Sequence, residues 1–166
     1  LTLVLGGARS GKSRHAESLI MAGPSPWVYV ATAEPLDDEM TARIAAHRAR
    51  RGTGWRAVEA PRDLAGALAG IRNAVLVDCL TLWLSNLMLA DADIEAETAR
   101  LEGALTNAAV PVVLVSNEVG FGIVPDNALA RRFRDAQGRL NQRIAARADR
   151  VVLMVAGLPL VVKENS

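Results

Sequence analysis

The residues best placed to do chemistry are Gly6-Gly7-Ala8-Arg9-Ser10-Gly11-Lys12-Ser13, which fit the pattern G-x-x-x-x-G-K-[ST]. In that pattern, backbone N–H groups of a glycine-rich loop cradle phosphates, and the lysine reaches the terminal phosphate oxygens. The hydroxyl that follows completes the coordination of Mg²⁺. Lys12 is one of only two lysines in the chain, the other being Lys163. The pattern implies a nucleoside triphosphate site in which Gly6 to Ser13 bind phosphate and Lys12 stabilises the charge of a phosphoryl group in transit.

Four further residues are candidates for chemistry. Asp78 closes an apolar run, where a phosphate-loop enzyme places the acidic partner of Mg²⁺, so Ser13 and Asp78 are the expected metal residues. An aspartate there can equally cap the helix that begins near Leu80. Glu118, in Ser116-Asn117-Glu118-Val119-Gly120-Phe121-Gly122, either orients a nucleophile or belongs to an ordinary polar loop. His15 falls inside the helix after the phosphate loop, where local packing or capping is the expected role. His47 lies on a helix with Met40 and Ile44 seven and three residues before it, which puts it on the apolar face. A lone histidine on such a face is usually structural. Against that, Arg48, Arg50 and Arg51 follow directly and are suited to hold a triphosphate while a neutral imidazole attacks phosphorus.

These residues need elements to hold them. Continuous apolar, β-branched runs occur at residues 1–5, 27–32, 74–78, 112–116 and 151–155, the signature of strands buried on both faces. Helical patterns lie between them. One follows the loop to Met21, and another starts at Asp37, with Asp38 and Glu39 in its first turn, and runs to about Arg51. A third covers 127–148 with Leu129, Phe133, Ala136, Leu140 and Ile144 along one stripe. Alternating strands and helices predict a phosphate-loop α/β fold, with a mainly parallel sheet covered by helices on both faces. Ligands then bind at the carboxyl ends of the strands. Gly157-Leu158-Pro159 followed by Leu160-Val161-Val162 predicts a terminal hairpin with one antiparallel edge strand, and residues 55–59 a further short strand.

With 166 residues, 51% of them hydrophobic, the chain is expected to form a single domain over 1–166. The formal net charge of +1 asks for neither nucleic acid nor an anionic membrane. The one cysteine, Cys79, excludes an internal disulfide, and no Cys/His spacing suggests a structural metal. An apolar run of about 18 residues is lacking, as is a charged-then-apolar leader, so a soluble cytoplasmic protein without membrane insertion is expected.

Taken together, the pattern resembles the bifunctional adenosylcobinamide kinase/adenosylcobinamide-phosphate guanylyltransferase family of cobalamin biosynthesis. The resemblance rests on the phosphate loop continued through Arg14-His15-Ala16-Glu17, on Asp37-Asp38-Glu39-Met40 with Arg43-Ile44 and His47, and on residues 116–125. It also rests on Leu129-Ala130-Arg131-Arg132-Phe133-Arg134-Asp135 with Gly138-Arg139-Leu140-Asn141-Gln142-Arg143. The resemblance implies two reactions. The hydroxyl of adenosylcobinamide takes the γ-phosphoryl group of ATP or GTP. The resulting phosphate then attacks a GMP unit, giving adenosylcobinamide-GDP and pyrophosphate. It implies that the GMP is first carried on His47, and that nucleotide contacts fall at Ala31, Thr32 and Ala33, at Arg48, Ala49, Arg50 and Arg51, and at Glu59 and Asp78. A carboxylate such as Glu59 can accept from both donors on the guanine edge, which would select GTP. The family assembly implied is a homotrimer. Asp78 is one carbon shorter than the Glu that many members carry. The readings weighed against this one are a phosphate-loop small-molecule kinase without nucleotidyl transfer and a non-catalytic GTP-binding module.

Overall fold

The computed structural model describes residues 1–34 and 52–165. The helix expected from Asp37 to about Arg51 lies outside the described residues. The strands are β1 Thr2–Gly6, β2 Trp27–Ala31, β3 Trp55–Glu59, β4 Val75–Asp78, β5 Val112–Asn117, β6 Arg150–Val155 and β7 Leu158–Glu164. The helices are α1 Lys12–Met21, α2 Leu64–Ala69, α3 Leu80–Leu89, α4 Ile94–Thr106 and α5 Ala128–Arg147. All seven strands form one sheet in the order β3-β2-β4-β5-β1-β6-β7. Every pairing is parallel except β6 with β7, which is antiparallel, as the terminal hairpin predicts.

The continuous apolar runs are explained by the two cores they serve. Successive strand residues point to opposite faces, so Leu3, Val75, Val77, Val112 and Leu114 join one core while Val4, Leu76, Val113 and Val115 join the other. The first core receives Leu64 and Leu68 of α2, Leu80, Trp83, Leu84 and Leu87 of α3, Leu101 and Leu105 of α4, and Leu140 and Ile144 of α5. The second receives Ala16 and Ile20 of α1.

Three of these helices start on a side-chain cap that the periodicity alone does not reveal. Asp63 accepts from the Gly66 N–H at 3.1 Å at the head of α2, and Asp93 from the Ala96 N–H at 3.0 Å at the head of α4. Asn127 caps α5 in the same way, accepting from Ala130 at 2.7 Å. Along α5 the buried stripe begins at Ala136, with Phe133 partly buried against the first core. Leu129, expected on the apolar face, is in the first turn and exposed, where neither core reaches it. At the other end of α5, Lys163 of β7 donates to the carbonyls of Ala145 and Ala146 at 3.1 and 3.0 Å and ties the edge strand to the helix.

Candidate functional site

The parallel register lines the carboxyl ends of five strands along one edge of the sheet. Glu59 of β3 is level with Ala31 of β2, Ala31 with Asp78 of β4, and Asp78 with Val115 of β5. Two residues further, Asn117 of β5 is level with Gly6 of β1, where the phosphate loop begins. Candidate residues dispersed over more than a hundred positions of sequence are thus brought to one edge by strand order alone.

The loop itself is shaped by glycine. Gly6 has φ +152, and a Cβ there would lie 2.6 Å from Ser10 Oγ and 2.7 Å from the Met154 carbonyl oxygen. Gly11, at φ +93, turns the chain into α1. Among the described residues no side chain caps α1, and its first turn carries no acidic residue. Its N-terminal amides and the positive end of its dipole are therefore left for an anion. The Gly157 N–H, from the β6–β7 turn, donates to the Ser10 carbonyl at 3.1 Å and braces the loop from outside.

Lys12 is buried and donates through Nζ to the Gly7 carbonyl at 2.6 Å, curled back over its own loop. Burial lowers its pKa from the ordinary lysine value, against the opposing pull of Cys79 and Asp78. Asp78 ends β4 with Oδ2 buried and without a hydrogen-bond partner among the described residues. It does not cap α3, whose N-cap is Cys79 with no side-chain cap bond. The capping role therefore falls away for Asp78, and its orphaned oxygen is a position for a cation or a bound water. Ser13 in the first turn of α1 and this carboxylate fit Mg²⁺, which takes one or two protein oxygens and completes its shell with water and phosphate. Next to it, burial first and the Asp78 charge second push the Cys79 thiol up to about 12, so it stays a neutral packing group.

Thr32 is fully buried. Its Oγ1 donates to the Cys79 carbonyl and accepts from the Cys79 N–H, both at 2.7 Å, clamping the end of β2 to the end of β4. Asn86 of α3 donates to the Thr32 carbonyl at 2.8 Å and the Pro61 carbonyl at 3.0 Å, joining the exits of β2 and β3. Ala31 and Ala33 are half-buried at the same edge, and Glu59 is exposed. The Glu118 N–H donates to the Gly6 carbonyl at 3.1 Å, and Glu118 Oε1 accepts from the Gly120 N–H at 2.7 Å. Glu118 thus adjoins the loop, with its carboxylate turned to its own backbone. His15 is apart from this chemistry: burial and, less strongly, Arg150 lower its pKa, and its Nε2 is buried without a partner among the described residues. His47, Arg48, Ala49, Arg50 and Arg51 lie outside the described residues.

Sequence reading missed Thr81, Asn86, Gln137 and Asn141, all buried polar residues whose side chains bond at this edge. The signal for two of them was present, since Thr81 and Asn86 interrupt an otherwise apolar helix on its buried side.

Residues 2–162 match the family model described as cobinamide kinase / cobinamide phosphate guanyltransferase. The chain belongs to this family. Its curated relatives include the bifunctional adenosylcobalamin biosynthesis protein CobP of Pseudomonas aeruginosa, 48% identical over 97% of this chain and 96% of the relative. The CobU proteins of the same description from Salmonella typhimurium and Escherichia coli are each 44% identical, over 98% of this chain and 99% of theirs. Family members are bifunctional, pairing cobinamide kinase with cobinamide phosphate guanylyltransferase. Among solved structures, protein PH0250 of Pyrococcus horikoshii OT3 superposes with a TM-score of 0.55 at 7% identity, over 99% of this chain and 86% of that one. At that identity the likeness speaks for the fold alone. No described helix is long and apolar enough to cross a membrane.

Proposed function

We propose that this chain carries out both family reactions in a single domain over residues 1–166, on the edge where the phosphate loop meets Asp78. The observation that carries the reading is the pairing of an uncapped α1 N-terminus and buried Lys12 with an orphaned Asp78 oxygen. The loop amides from Gly6 to Ser13 bind the phosphates of ATP or GTP, and Lys12 leaves the Gly7 carbonyl to meet the γ-phosphoryl oxygens. Ser13 and Asp78 hold Mg²⁺, which when bound supplies positive charge to the phosphate oxygens. The acceptor is the hydroxyl of adenosylcobinamide, with Glu118 beside the loop to orient it.

For the second reaction, His47 attacks the α-phosphorus of GTP. A P–N bond forms as pyrophosphate leaves, and the phosphate of adenosylcobinamide phosphate then displaces the imidazole to give adenosylcobinamide-GDP. Arg48, Ala49, Arg50 and Arg51 flank that histidine and, with Ala31, Ala33 and Glu59, contribute nucleotide contacts. The chain acts in the cytoplasm, without nucleic acid, as a homotrimer. Self-association is supported by the apolar edge strand β7, where Leu158, Leu160 and Val162 are exposed.

Incubation with GTP labelled at the α-phosphate tests the reading. Wild type is expected to retain acid-labile, alkali-stable label through denaturation, and His47→Ala none. Label on neither protein, with nucleotide binding intact, reduces the function to a phosphate-loop kinase. Tight GTP binding with no turnover on adenosylcobinamide leaves only a binding module.

A further inference from the structure

Behind the phosphate loop lies a buried set of uncharged polar side chains to which the chemistry above gives no role. Ser116 and Gln137 are fully buried and Asn141 is 5% exposed. Gln137 Nε2 donates to Ser116 Oγ at 2.9 Å and to Asn141 Oδ1 at 3.0 Å, and Ser116 Oγ donates to the same Oδ1 at 2.7 Å. Asn141 Nδ2 then donates to the Asn117 carbonyl at 3.1 Å.

That carbonyl and the Glu118 N–H belong to one rigid, planar peptide unit, so fixing one fixes the other. The Glu118 N–H donates to the carbonyl of Gly6 at 3.1 Å, and that carbonyl is part of the first peptide of the phosphate loop. The preceding peptide is held as well, because the Asn117 N–H donates to Thr81 Oγ1 of α3 at 2.8 Å. The donors point head to tail from Gln137 through Ser116, Asn141 and the 117–118 peptide to Gly6, an order in which each bond polarises the next. Packing alone does not account for the set. Gln137 Oε1 is buried without a partner among the described residues, and apolar side chains of like volume would fill the space without that loss.

We propose that Ser116, Gln137 and Asn141 are positioning residues for phosphoryl transfer, setting the entry of the phosphate loop through the 117–118 peptide. The proposal rests on the reading that the loop transfers a phosphoryl group. Positioning of this kind acts on the rate of the chemical step, since a displacement of about 1 Å costs on the order of a hundredfold.

The decisive variant is Gln137→Met, which keeps the length and burial of the side chain and removes the first donor. Its melting temperature should equal or exceed that of wild type. Its kcat for phosphorylation of adenosylcobinamide should fall about tenfold or more with the nucleotide KM unchanged, and amide hydrogen exchange at Glu118 should quicken. Asn141→Leu should go further on both counts, and Asn141→Gln, which restores a donor, should recover part of the rate. An unchanged kcat or unchanged Glu118 exchange in folded Gln137→Met overturns the proposal, as does a loss of rate that merely follows a loss of stability. If Asn141→Leu does not fold, Gln137→Met and Ser116→Ala decide. Should wild type itself phosphorylate no adenosylcobinamide, the functional reading fails. Glu118 exchange in the variants then still judges the relay.

Discussion

Lys12 shows what a single buried charge costs the fold. An ammonium buried beside a loop carbonyl gives up hydration that Asp78 only partly replaces, and burial accordingly depresses its pKa. A lysine whose folded-state pKa is lowered binds fewer protons folded than unfolded in the interval between the two values. Stability of the nucleotide-free protein from this group therefore rises as pH climbs through that interval, and the penalty is greatest below it. Lys12→Met should raise the melting temperature at neutral pH and flatten this alkaline rise, while lowering phosphoryl transfer about a hundred- to a thousandfold. Melting curves between neutral and alkaline pH, with initial rates on adenosylcobinamide, check both halves. A destabilised Lys12→Met would show that the Gly7 bond outweighs desolvation. Near-normal phosphorylation would remove Lys12 from the chemistry.

At the scale of elements, the site is a product of strand order, and the clamps between strand ends keep it in register. Thr32 joins β2 to β4 through two bonds to one residue, Cys79, and Val is nearly its isostere without the hydroxyl. Thr32→Val leaves the buried Cys79 N–H without its acceptor, so unfolding in urea should show a loss of about 1–3 kcal/mol. A neutral effect would mean that the ends of these strands relax to find other partners. This level of structure was only partly open to sequence reading. The phosphate loop, the buried strands and the β6–β7 hairpin could be read because each is a local pattern, such as spaced glycines, an unbroken apolar run or a turn. Asp78 could be placed at a strand end, but its freedom from capping could not, because that depends on where α3 begins. Thr32 was expected to meet nucleotide, but that its hydroxyl also clamps two strand ends could not be read locally, because its partner is 47 positions away. Gln137 and Asn141 sit one turn apart on α5 and look like ordinary polar helix residues until Ser116 is brought against them.

Over the whole molecule, the two edges of the sheet are finished differently. At β3, Trp55 packs its ring 5.4 Å from that of Trp27 and edge-on to Tyr29, leaving mostly short or charged residues outward. At β7, the exposed large hydrophobic side chains are Leu158, Leu160, Val161 and Val162, with Val155 across the turn, and Pro159 and Glu164 are exposed beside them. An edge strand that is apolar on both faces is a template for association, and proteins that remain single usually blunt it with charge, a bulge away from the edge, or a covering element. The one bulge in this pair lies between Val151 and Val152, toward the far end from Leu158 and Leu160. Lys163 is drawn back onto α5, so of the devices that blunt an edge, proline included, Pro159 alone falls within that apolar stretch among the described residues. The same turn donates from Gly157 to the Ser10 carbonyl, so a partner seated on β7 would also bear on the phosphate loop. Leu160→Lys puts a charge at the centre of the apolar edge, at a position exposed enough to change monomer stability by no more than about 0.5 kcal/mol. Burying that charge in an interface should weaken a self-assembly built there by about a hundredfold. Sedimentation velocity over a concentration series should therefore show the proposed trimer in wild type and monomer in the variant at micromolar protein. A trimer unaffected by Leu160→Lys would place the contact between copies on another face.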